Sequence, residues 1–462
     1  MKVVLAVHHF FPRYTGGAEG ETYRIASALQ RRGCEVRVVC VERIDAGPTS
    51  GVAWEDGAYG GIWVRRLTFN LAAMPDPFRA EYDNTWIGDH LRTFLAEFRP
   101  DIFHLIGGYL ISGRAIRVAR DLGIATIVSL MDFWFLCRRF TLLRNDGRLS
   151  ALPVSSQACA RCLGEERRRY RWLGQVAPAL ADAYWRTQTA AVRRFDARTE
   201  FLLETLNRAD AVVCRSQFLR AAFVEAGVDT ERIVLSRQGR DFPNLTPALL
   251  EKSPSVNLRI GYLGQIAPHK GVHVLLVAAR RLAGALLTVR VYGDLAAFKD
   301  YAAGLRRLIA ADGRLELAGP CRPEDLDQVL RDIDVLVVPS LWYENSPNVI
   351  LEAFAHNTPV IASNHGGLPE LVRDGVNGLL FTPGDDLDLG RQLQRLLDEP
   401  DLLPRLRLGI APVRSMAEEI GALEELYQSV RAKRQTWAAI PVSGWRPGAE
   451  PVNTAAADRL AS

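Results

Sequence analysis

The chain has 462 residues, of which 48% are hydrophobic and 24% are charged, and its formal net charge is +4. A chain of this length can bury the cores of two or three domains, and so small a charge does not indicate nucleic-acid binding. No apolar run approaches the ~20 residues of a membrane-spanning helix, the apolar start is too short for a signal peptide, and seven cysteines give no disulfide framework. Composition therefore predicts a globular chain in a reducing, cytoplasmic compartment.

Strands alternate with helices in the first half of the chain, which predicts an α/β domain with a parallel sheet. Lys2–Val7 is the first predicted strand, and Gly16 and Gly17 follow in a turn that leads into a helix. A glycine pair lets the backbone approach a ligand closely, and a plain tight turn is the alternative explanation. Further strands are predicted at 36–41, 100–105, 124–130, 210–214 and 232–235, with a hairpin-like region up to residue 69 and a helix over 84–98.

Chemically distinctive side chains follow the strand at 124–130. Asp132 either caps the end of this strand or contacts a substrate. Cys137, Cys159 and Cys162 include a C-x2-C pair, a spacing typical of structural zinc sites, although such sites need four ligands. Three free thiols under a loop are the alternative, and the missing fourth ligand favours it.

Residues 163–208 form a predicted helical insertion that carries a run of arginines. This run is either a solvated helix face or a basic, aromatic patch that rests on anionic lipid. We call it the basic patch, and it comprises Arg167, Arg168, Arg169, Tyr170, Arg171 and Trp172.

The second half of the chain repeats the alternation of strands and helices after a segment rich in Pro, Asn and Ser. The strand Arg259–Leu263 runs into Gly264 and Gln265, and Lys270 lies at the start of the next predicted helix. The predicted organisation is a first domain over 1–240, a linker over 241–257, a second domain over 258–412, a helix over 413–433 that crosses back to the first domain, and a disordered tail over 434–462.

The stretch from 335 to 356 combines a buried strand, a polar turn and an apolar helix, which is the expected shape of a phosphate site. Ser346 is predicted to cap this helix and Pro347 to occupy its first turn. Glu344 then precedes the helix and Glu352 lies about a turn and a half inside it. The helix amides suit a diphosphate and the two carboxylates suit sugar and ribose hydroxyls, so the stretch predicts a nucleotide-sugar site.

Four segments in this order and spacing, 261–271, 340–353, 364–370 and 374–381, resemble the nucleotide-sugar half of the retaining family 4 glycosyltransferases with the GT-B fold. The resemblance covers roughly residues 1 to 430. It implies two Rossmann-like domains with parallel sheets that face a central cleft. It also implies that the second domain binds the donor, and that the first domain binds the acceptor, with Asp132 on the acceptor side.

The resemblance implies roles for individual residues. Glu344 is expected to bind the transferred sugar, Glu352 the ribose, and Lys270 the diphosphate of the leaving group. Family members commonly carry histidine and arginine where this chain has Met131 and Gln265. The other residues expected to bind the donor are Gly16, Gly17, Gly264, Gln265, Gly319, Ser346, Pro347, Asn348, Val349, Gly366 and Gly367.

The expected activity is retaining transfer of a sugar from a UDP- or GDP-type donor to a glycan or lipid-linked acceptor, in bacterial surface polysaccharide or glycoconjugate biosynthesis. No cofactor is expected, and the Asp-x-Asp sequences at 325–327, 332–334 and 386–388 lie in or beside helices or at a strand entry, so no catalytic metal is expected. Met131 and Gln265 leave open a degenerate protein that binds a nucleotide sugar or glycan without turnover. An epimerase or phosphorylase of the same fold is a third hypothesis, for which the sequence carries no motif.

Overall fold

The computed structural model of the protein describes residues 1–438, and most of the predicted tail, 439–462, lies outside the described residues. The first domain contains an eight-stranded sheet in the order β3-β4-β2-β1-β5-β6-β7-β8, parallel except for the β3–β4 hairpin. Its strands are β1 (Lys2–Val7), β2 (Glu35–Arg43), β3 (Ala53–Tyr59), β4 (Ile62–Thr68), β5 (Ile102–Ile106), β6 (Ala125–Ser129), β7 (Ala211–Cys214) and β8 (Ile233–Leu235).

Helices cover both faces of this sheet because strand residues alternate between two apolar layers. Along β1, Val4 packs in one layer and Val3 and Leu5 pack in the other. The helices are α1 (Gly17–Arg31), α2 (Pro77–Ala80), α3 (Thr85–Phe98), α4 (Arg114–Asp121), α5 (Ser156–Gly164), α6 (Arg168–Val176), α7 (Pro178–Thr187), α8 (Thr189–Arg208) and α9 (Gln217–Glu225).

The second domain contains a fully parallel six-stranded sheet in the order β11-β10-β9-β12-β13-β14. Its strands are β9 (Leu258–Leu263), β10 (Leu287–Tyr292), β11 (Leu315–Gly319), β12 (Val335–Val338), β13 (Val360–Ser363) and β14 (Gly378–Phe381). The short helix α10 (Pro247–Leu250) precedes this domain. The helices that follow are α11 (Val272–Arg281), α12 (Lys299–Ile309), α13 (Leu326–Arg331), α14 (Asn348–Ala355), α15 (Leu368–Leu371), α16 (Asp386–Asp398), α17 (Leu402–Leu408) and α18 (Met416–Ala438).

The last helix returns to the first domain. Ile420, Leu423 and Tyr427 of α18 are buried in the apolar layer that contains β1. The helix was predicted to end at residue 433, but it continues to Ala438, so the predicted start of the tail lies inside it. The predicted two-domain α/β architecture is confirmed.

Each sheet has a topological switch point, where the connections that follow two neighbouring strands run in opposite directions along the sheet. In the first sheet this point lies between β1 and β5, and in the second it lies between β9 and β12. Ligands of open parallel sheets bind outside the carboxyl ends of the strands at such a point. The loops after these four strands are therefore where the fold favours a ligand site.

Candidate active site in the interdomain cleft

A buried ion pair joins the two loops at the switch point of the second sheet. Lys270 lies in a single 3-10 turn after β9, and Glu344 lies in the loop after β12. The Lys270 Nζ donates to Glu344 Oε1 at 2.6 Å, and Ser340 Oγ and Trp342 Nε1 donate to the same oxygen at 2.7 and 2.8 Å. Burial raises the pKa of Glu344, but the Lys270 charge and these donors outweigh it and hold the pKa below its usual value. Glu344 is therefore ionised.

Two glycines allow the loops around this ion pair to pack closely. At Gly271, φ is 70°, and an added Cβ would lie 1.9 Å from the Pro339 carbonyl oxygen. An added Cβ at Gly367 would lie 2.0 Å from the Asn345 carbonyl oxygen. The Gly367 N–H donates to the Glu344 carbonyl at 2.7 Å. Gly367 was expected to bind the donor, but its amide holds the Glu344 loop in place.

Helix α14 begins one residue later than predicted. Pro347 is its N-cap residue, Asn348 is its first residue, and no side chain caps it, so the predicted capping by Ser346 is wrong. Pro347 has extended backbone angles, φ −70° and ψ 127°, which places Ser346 outside the helix. The Nε2 of Gln238 donates to the Ser346 carbonyl and to Asn348 Oδ1, both at 2.8 Å. The start of α14 thus faces the end of the first domain, with its first N–H groups lacking helical partners.

Glu352 forms an ion pair across the domain boundary. The guanidinium of Arg240 donates to Glu352 Oε1 at 2.5 Å. Arg24 of α1 also faces this cluster, and burial followed by repulsion from Arg240 lowers its pKa. Arg240 thus pairs with the carboxylate that the resemblance assigns to the ribose.

The remaining donor-side loops meet at the ends of β9, β10 and β11. The Gly264 N–H donates to the Tyr292 carbonyl at 3.1 Å, and the N–H of Gly293 donates to the Gly319 carbonyl at 2.8 Å. Gln265 is exposed in the loop after β9. Val349 packs against the apolar core beside α14, whereas Gly366 joins Gly367 against the Glu344 loop. The predicted residues of the second domain thus border one edge of its sheet.

The first domain contributes an imidazole that the sequence analysis missed. The Nε2 of His8, directly after β1, lies 3.3 Å from Glu19 Oε1. Burial raises the pKa of Glu19, and the hydrogen bond and charge of His8 lower it further than burial raises it. Gly16 is the N-cap residue of α1, Gly17 begins it, and an added Cβ at Gly16 would lie 2.6 Å from Glu19 Oε2. Two adjacent histidines after the first strand were the available signal.

Asp132 caps the turn after β6, which is the first of its two predicted roles, and a contact with substrate stays a prediction. Its Oδ1 accepts a hydrogen bond from the Trp134 N–H at 2.8 Å, which caps the turn after β6. Burial raises the pKa of Asp132 to about 6, an effect that the hydrogen bond from Trp134 and the charge of His8 oppose. The carboxyl group is therefore a structural cap with a perturbed pKa, near an imidazole at the switch point of the first sheet.

The three cysteines singled out as zinc ligands line one small cavity of about 20 Å³, together with Ser150. Burial raises the pKa of Cys137 and Cys162, and raises that of Cys159 to about 12, which disfavours the thiolate forms that bind zinc. Within residues 1–438, no group of three His, Cys, Asp or Glu side chains is arranged to hold a metal ion.

Residues of the second domain also contact the first domain directly. Asn345 Oδ1 accepts from Ser216 Oγ at 2.8 Å, and its Nδ2 donates to the Leu130 carbonyl at 3.2 Å. Glu370 accepts from the N–H groups of Gln217 and Phe218 at the start of α9, at 2.9 and 2.8 Å. The two switch points therefore face each other across a cleft that polar contacts hold closed.

Parallel sheets with facing switch points and an ion pair at one of them define a two-domain α/β protein with an interdomain site. Comparison with known proteins identifies its family. The family model described as glycosyl transferase 4-like domain matches residues 16–239, and the model described as glycosyl transferases group 1 matches residues 257–399. The chain belongs to the group 1, family 4 type of glycosyltransferases with the GT-B fold.

Curated relatives include a D-inositol 3-phosphate glycosyltransferase of Streptomyces bingchenggensis, 27% identical over 387 residues, which are 81% of this chain and 71% of that protein. The putative colanic acid biosynthesis glycosyltransferase WcaL of Escherichia coli is 26% identical over 248 residues, 51% of this chain and 60% of WcaL. A third relative, from Nocardia farcinica, is matched over 49% of its length. The chain therefore spans about half to two thirds of the length of several relatives.

Solved structures with the same fold include HepE of Anabaena in complex with UDP. Its TM-score is 0.63 at 19% identity, and the match covers 93% of this chain and all of that one. Sucrose-phosphate synthase from Thermosynechococcus elongatus gives a TM-score of 0.64 at 18% identity, over 94% and 99% of the two chains. At these identities the similarity establishes the fold.

Proposed function

We propose that the protein transfers a sugar from a UDP- or GDP-type nucleotide-diphosphate sugar to a glycan or lipid-linked acceptor, with retention at the anomeric carbon. The observation that carries this proposal is the Lys270–Glu344 pair at the switch point of the second sheet, in which buried Glu344 lies 2.6 Å from half-buried Lys270. A fixed cation beside a fixed carboxylate suits a donor that presents a diphosphate next to sugar hydroxyls. The complexes of Anabaena HepE with UDP and with UDP-glucose support a donor of this class.

Each donor residue has a role in this proposal. An ammonium group carries three N–H donors, so Lys270 can hold Glu344 and a phosphate oxygen together. The first N–H groups of α14, at Asn348 and Val349, add positive potential toward the same diphosphate. Glu344 accepts hydrogen bonds from the transferred sugar. Glu352 gives up its ion pair with Arg240 and accepts hydrogen bonds from the ribose diol. The charge that develops on the departing diphosphate is thereby stabilised without a metal ion or cofactor.

The first domain supplies the acceptor side. Retention proceeds through an oxocarbenium-like state on one face of the sugar, with the donor phosphate taking the acceptor proton, so no protein nucleophile is needed. His8, Glu19 and Asp132 then position the acceptor hydroxyl. We place the reaction in surface polysaccharide or glycoconjugate biosynthesis, in line with the relative WcaL, a putative colanic acid biosynthesis glycosyltransferase.

We also propose a membrane contact at the basic patch. Arg167, Arg168, Arg169 and Arg171 are exposed on and beside α6, whereas Tyr170 turns inward and stacks on Tyr184 at 5.6 Å between ring centroids. No helix within residues 1–438 is both long enough and apolar enough to cross a bilayer. A surface contact would bring the cleft to a lipid-linked acceptor.

A second candidate is a protein that binds the donor without turnover. Met131 and Gln265 favour it, because each replaces a titratable or cationic side chain that the family commonly carries. His8, directly after β1, and Arg240, paired with Glu352, favour an active enzyme, because they bring an imidazole and a guanidinium to the same cleft.

A panel of UDP-, GDP- and ADP-sugars tests the proposal, scored by thermal shift and by slow donor hydrolysis. A donor at a hundred times its Kd stabilises the protein by about 2.7 kcal/mol. We expect one donor to stabilise the wild type and to be hydrolysed, Glu344→Gln and Lys270→Met to lose hydrolysis, and the surface control Asp56→Asn to keep it. Binding without hydrolysis or transfer would favour the second candidate, and no binding at all would refute both.

A further inference from the structure

A cavity of about 430 Å³ opens beside the candidate active site, between loops of the first domain and two aromatic residues of the second. One of these, His269, directly precedes Lys270, and on the opposite wall the Tyr109 ring lies 5.9 Å from the His8 ring. The volume lies within the range of small-molecule sites. The cavity therefore adjoins the donor residues without being formed by them.

Exposed aromatic rings wall this cavity. Tyr109, Phe140 and Phe298 are 38%, 39% and 36% exposed, which is unusual for rings of this size, and all three line it. The Tyr109 and Phe140 rings lie 6.1 Å apart at 54°, and Phe298 comes from the other domain. Flat apolar rings beside a few polar groups suit the C–H face of a sugar ring.

The two loops of the first domain that form the cavity are backbone-strained. Leu110 and Ser112 have φ of 60° and 72°, and Phe140 and Leu142 have φ of 51° and 57°. They are four of the six non-glycine residues with positive φ that occur in the described chain. Such conformations are unfavourable for side chains with a Cβ, and they concentrate at ligand sites, where the surrounding fold maintains them.

Asn84 lines the cavity and carries an unused hydrogen-bond donor. Its side chain is 1% exposed, and its Oδ1 caps α3 by accepting from the Ile87 N–H at 3.0 Å. This bond fixes the orientation of the amide, so the other atom is Nδ2, a buried donor without a partner in the described structure. Because a buried N–H group without a partner is unfavourable, this amide is a position where a ligand oxygen would be stabilised.

The charged side chains of the cavity are already paired. Arg138 donates from Nε and Nη2 to the two carboxylate oxygens of Glu81, both at 2.6 Å. Arg139 donates to Asn145 Oδ1 at 2.6 Å and lies 3.5 Å from Glu166 Oε1. With each guanidinium facing a carboxylate, the walls carry no unpaired cation that would select a phosphate.

We propose that this cavity binds the acceptor and that the bound part is an uncharged sugar. This sugar stacks on Tyr109 and Phe140 and accepts a hydrogen bond from Asn84 Nδ2. The inference rests on the proposed function, because it assigns the acceptor of that reaction. It selects a neutral glycan terminus over a phosphorylated or acidic one.

Two variants isolate the two contacts. Asn84→Asp keeps an oxygen that caps α3 and replaces the free donor with an acceptor. Phe140→Leu keeps an apolar side chain at the same backbone angles and removes the ring. Trp54→Leu is the matched control, since Trp54 is 55% exposed on β3 and does not line the cavity.

The probes are the methyl glycosides of glucose, galactose and mannose, compared with their 6-phosphates and with methyl glucuronide, titrated in the presence of UDP by saturation-transfer NMR. At least one neutral glycoside should bind the wild type, more tightly than its charged counterparts. We expect Asn84→Asp and Phe140→Leu each to weaken it about fivefold or more, as for loss of one hydrogen bond or one stacking contact, and Trp54→Leu to leave it unchanged.

The assignment is wrong if no neutral glycoside binds, if a charged one binds more tightly, or if both variants bind like the control. Should Asn84→Asp fail to fold, Phe140→Leu alone decides. Because this titration needs no turnover and Glu344 variants report the donor site separately, a failure here is distinguishable from a failure of the proposed transferase activity.

Discussion

Lys270 Nζ lies 2.6 Å from Glu344 Oε1, although 74 residues separate the two in sequence. They meet because β9 and β12 are neighbours in the parallel sheet, and each residue stands in the loop that leaves its strand. Both residues are buried or half-buried, so each determines the charge environment of the other. The pair is therefore both part of the fold and part of the donor site.

This dual role predicts that stability and activity separate in a double variant. Lys270→Met leaves the Glu344 carboxylate buried without its cation, which should destabilise the protein by about 3–5 kcal/mol. Adding Glu344→Gln removes the unpaired charge and should restore much of that loss, whereas kcat/KM for transfer or donor hydrolysis should stay at least about 100-fold below wild type.

Urea unfolding and steady-state kinetics on the two single variants and the double variant measure both effects. The surface pair Arg290–Glu316, 3.1 Å apart, provides the control, since Glu316→Gln should change stability by less than about 1 kcal/mol. Recovery of activity together with stability would contradict a direct role for the pair in donor binding.

Local patterns in the sequence predicted most strands of the first sheet, β9, β12 and the loops at the switch points, whereas β13 and β14 were not predicted. The apolar runs at β9 and β12 predict buried parallel strands, and such strands bring Lys270 and Glu344 to one edge. The predicted capping by Ser346 was wrong because Pro347, which has extended backbone angles, is itself the N-cap residue. Pairings such as His8–Glu19, and the free amide of Asn84, depend on tertiary packing that no local pattern encodes.

Asp132 should make stability depend on pH. Its pKa in the folded protein is raised to about 6, above the ordinary value of 3.8, so between these values the folded state binds more protons than the unfolded state. The contribution is fully present below about pH 4 and is lost as pH rises through about 6, by at most about 3 kcal/mol. Asp132→Asn keeps an oxygen for the Trp134 N–H and cannot ionise.

Urea midpoints from pH 4 to 8 measure this effect as the difference between wild type and Asp132→Asn. The urea midpoint of Asp132→Asn minus that of the wild type should increase from pH 4 to 6 and then stay constant. A difference that is flat over the whole range would show that burial does not raise the pKa of this carboxyl group.

A buried hydrogen bond ties the last helix to the first sheet. Tyr427 Oη and His104 Nδ1 lie 2.7 Å apart, and His104 Nε2 lies 2.8 Å from Ser129 Oγ. Burial lowers the pKa of His104 to about 3, so the ring is neutral. Tyr427→Phe leaves one ring nitrogen without a partner and should cost about 1–3 kcal/mol in urea unfolding. In a His104→Leu background, Tyr427→Phe leaves no ring nitrogen without a partner and should cost less than in the wild type, whereas an equal cost in both backgrounds would contradict the coupling.

The basic patch should bind anionic membranes through apolar residues that the arginines surround. Trp172, Val176 and Leu180 are 63%, 64% and 66% exposed on α6 and α7, beside the exposed arginines. Insertion of these side chains and attraction of the arginines to anionic headgroups act together. Trp172→Ala with Leu180→Ala should weaken co-sedimentation with phosphatidylglycerol-containing vesicles about tenfold or more, and Trp54→Ala should not.

Wild-type binding should also fall with added salt, because screening weakens the arginine contribution. Equal binding to pure phosphatidylcholine vesicles, or no binding to either, would contradict the proposed membrane contact.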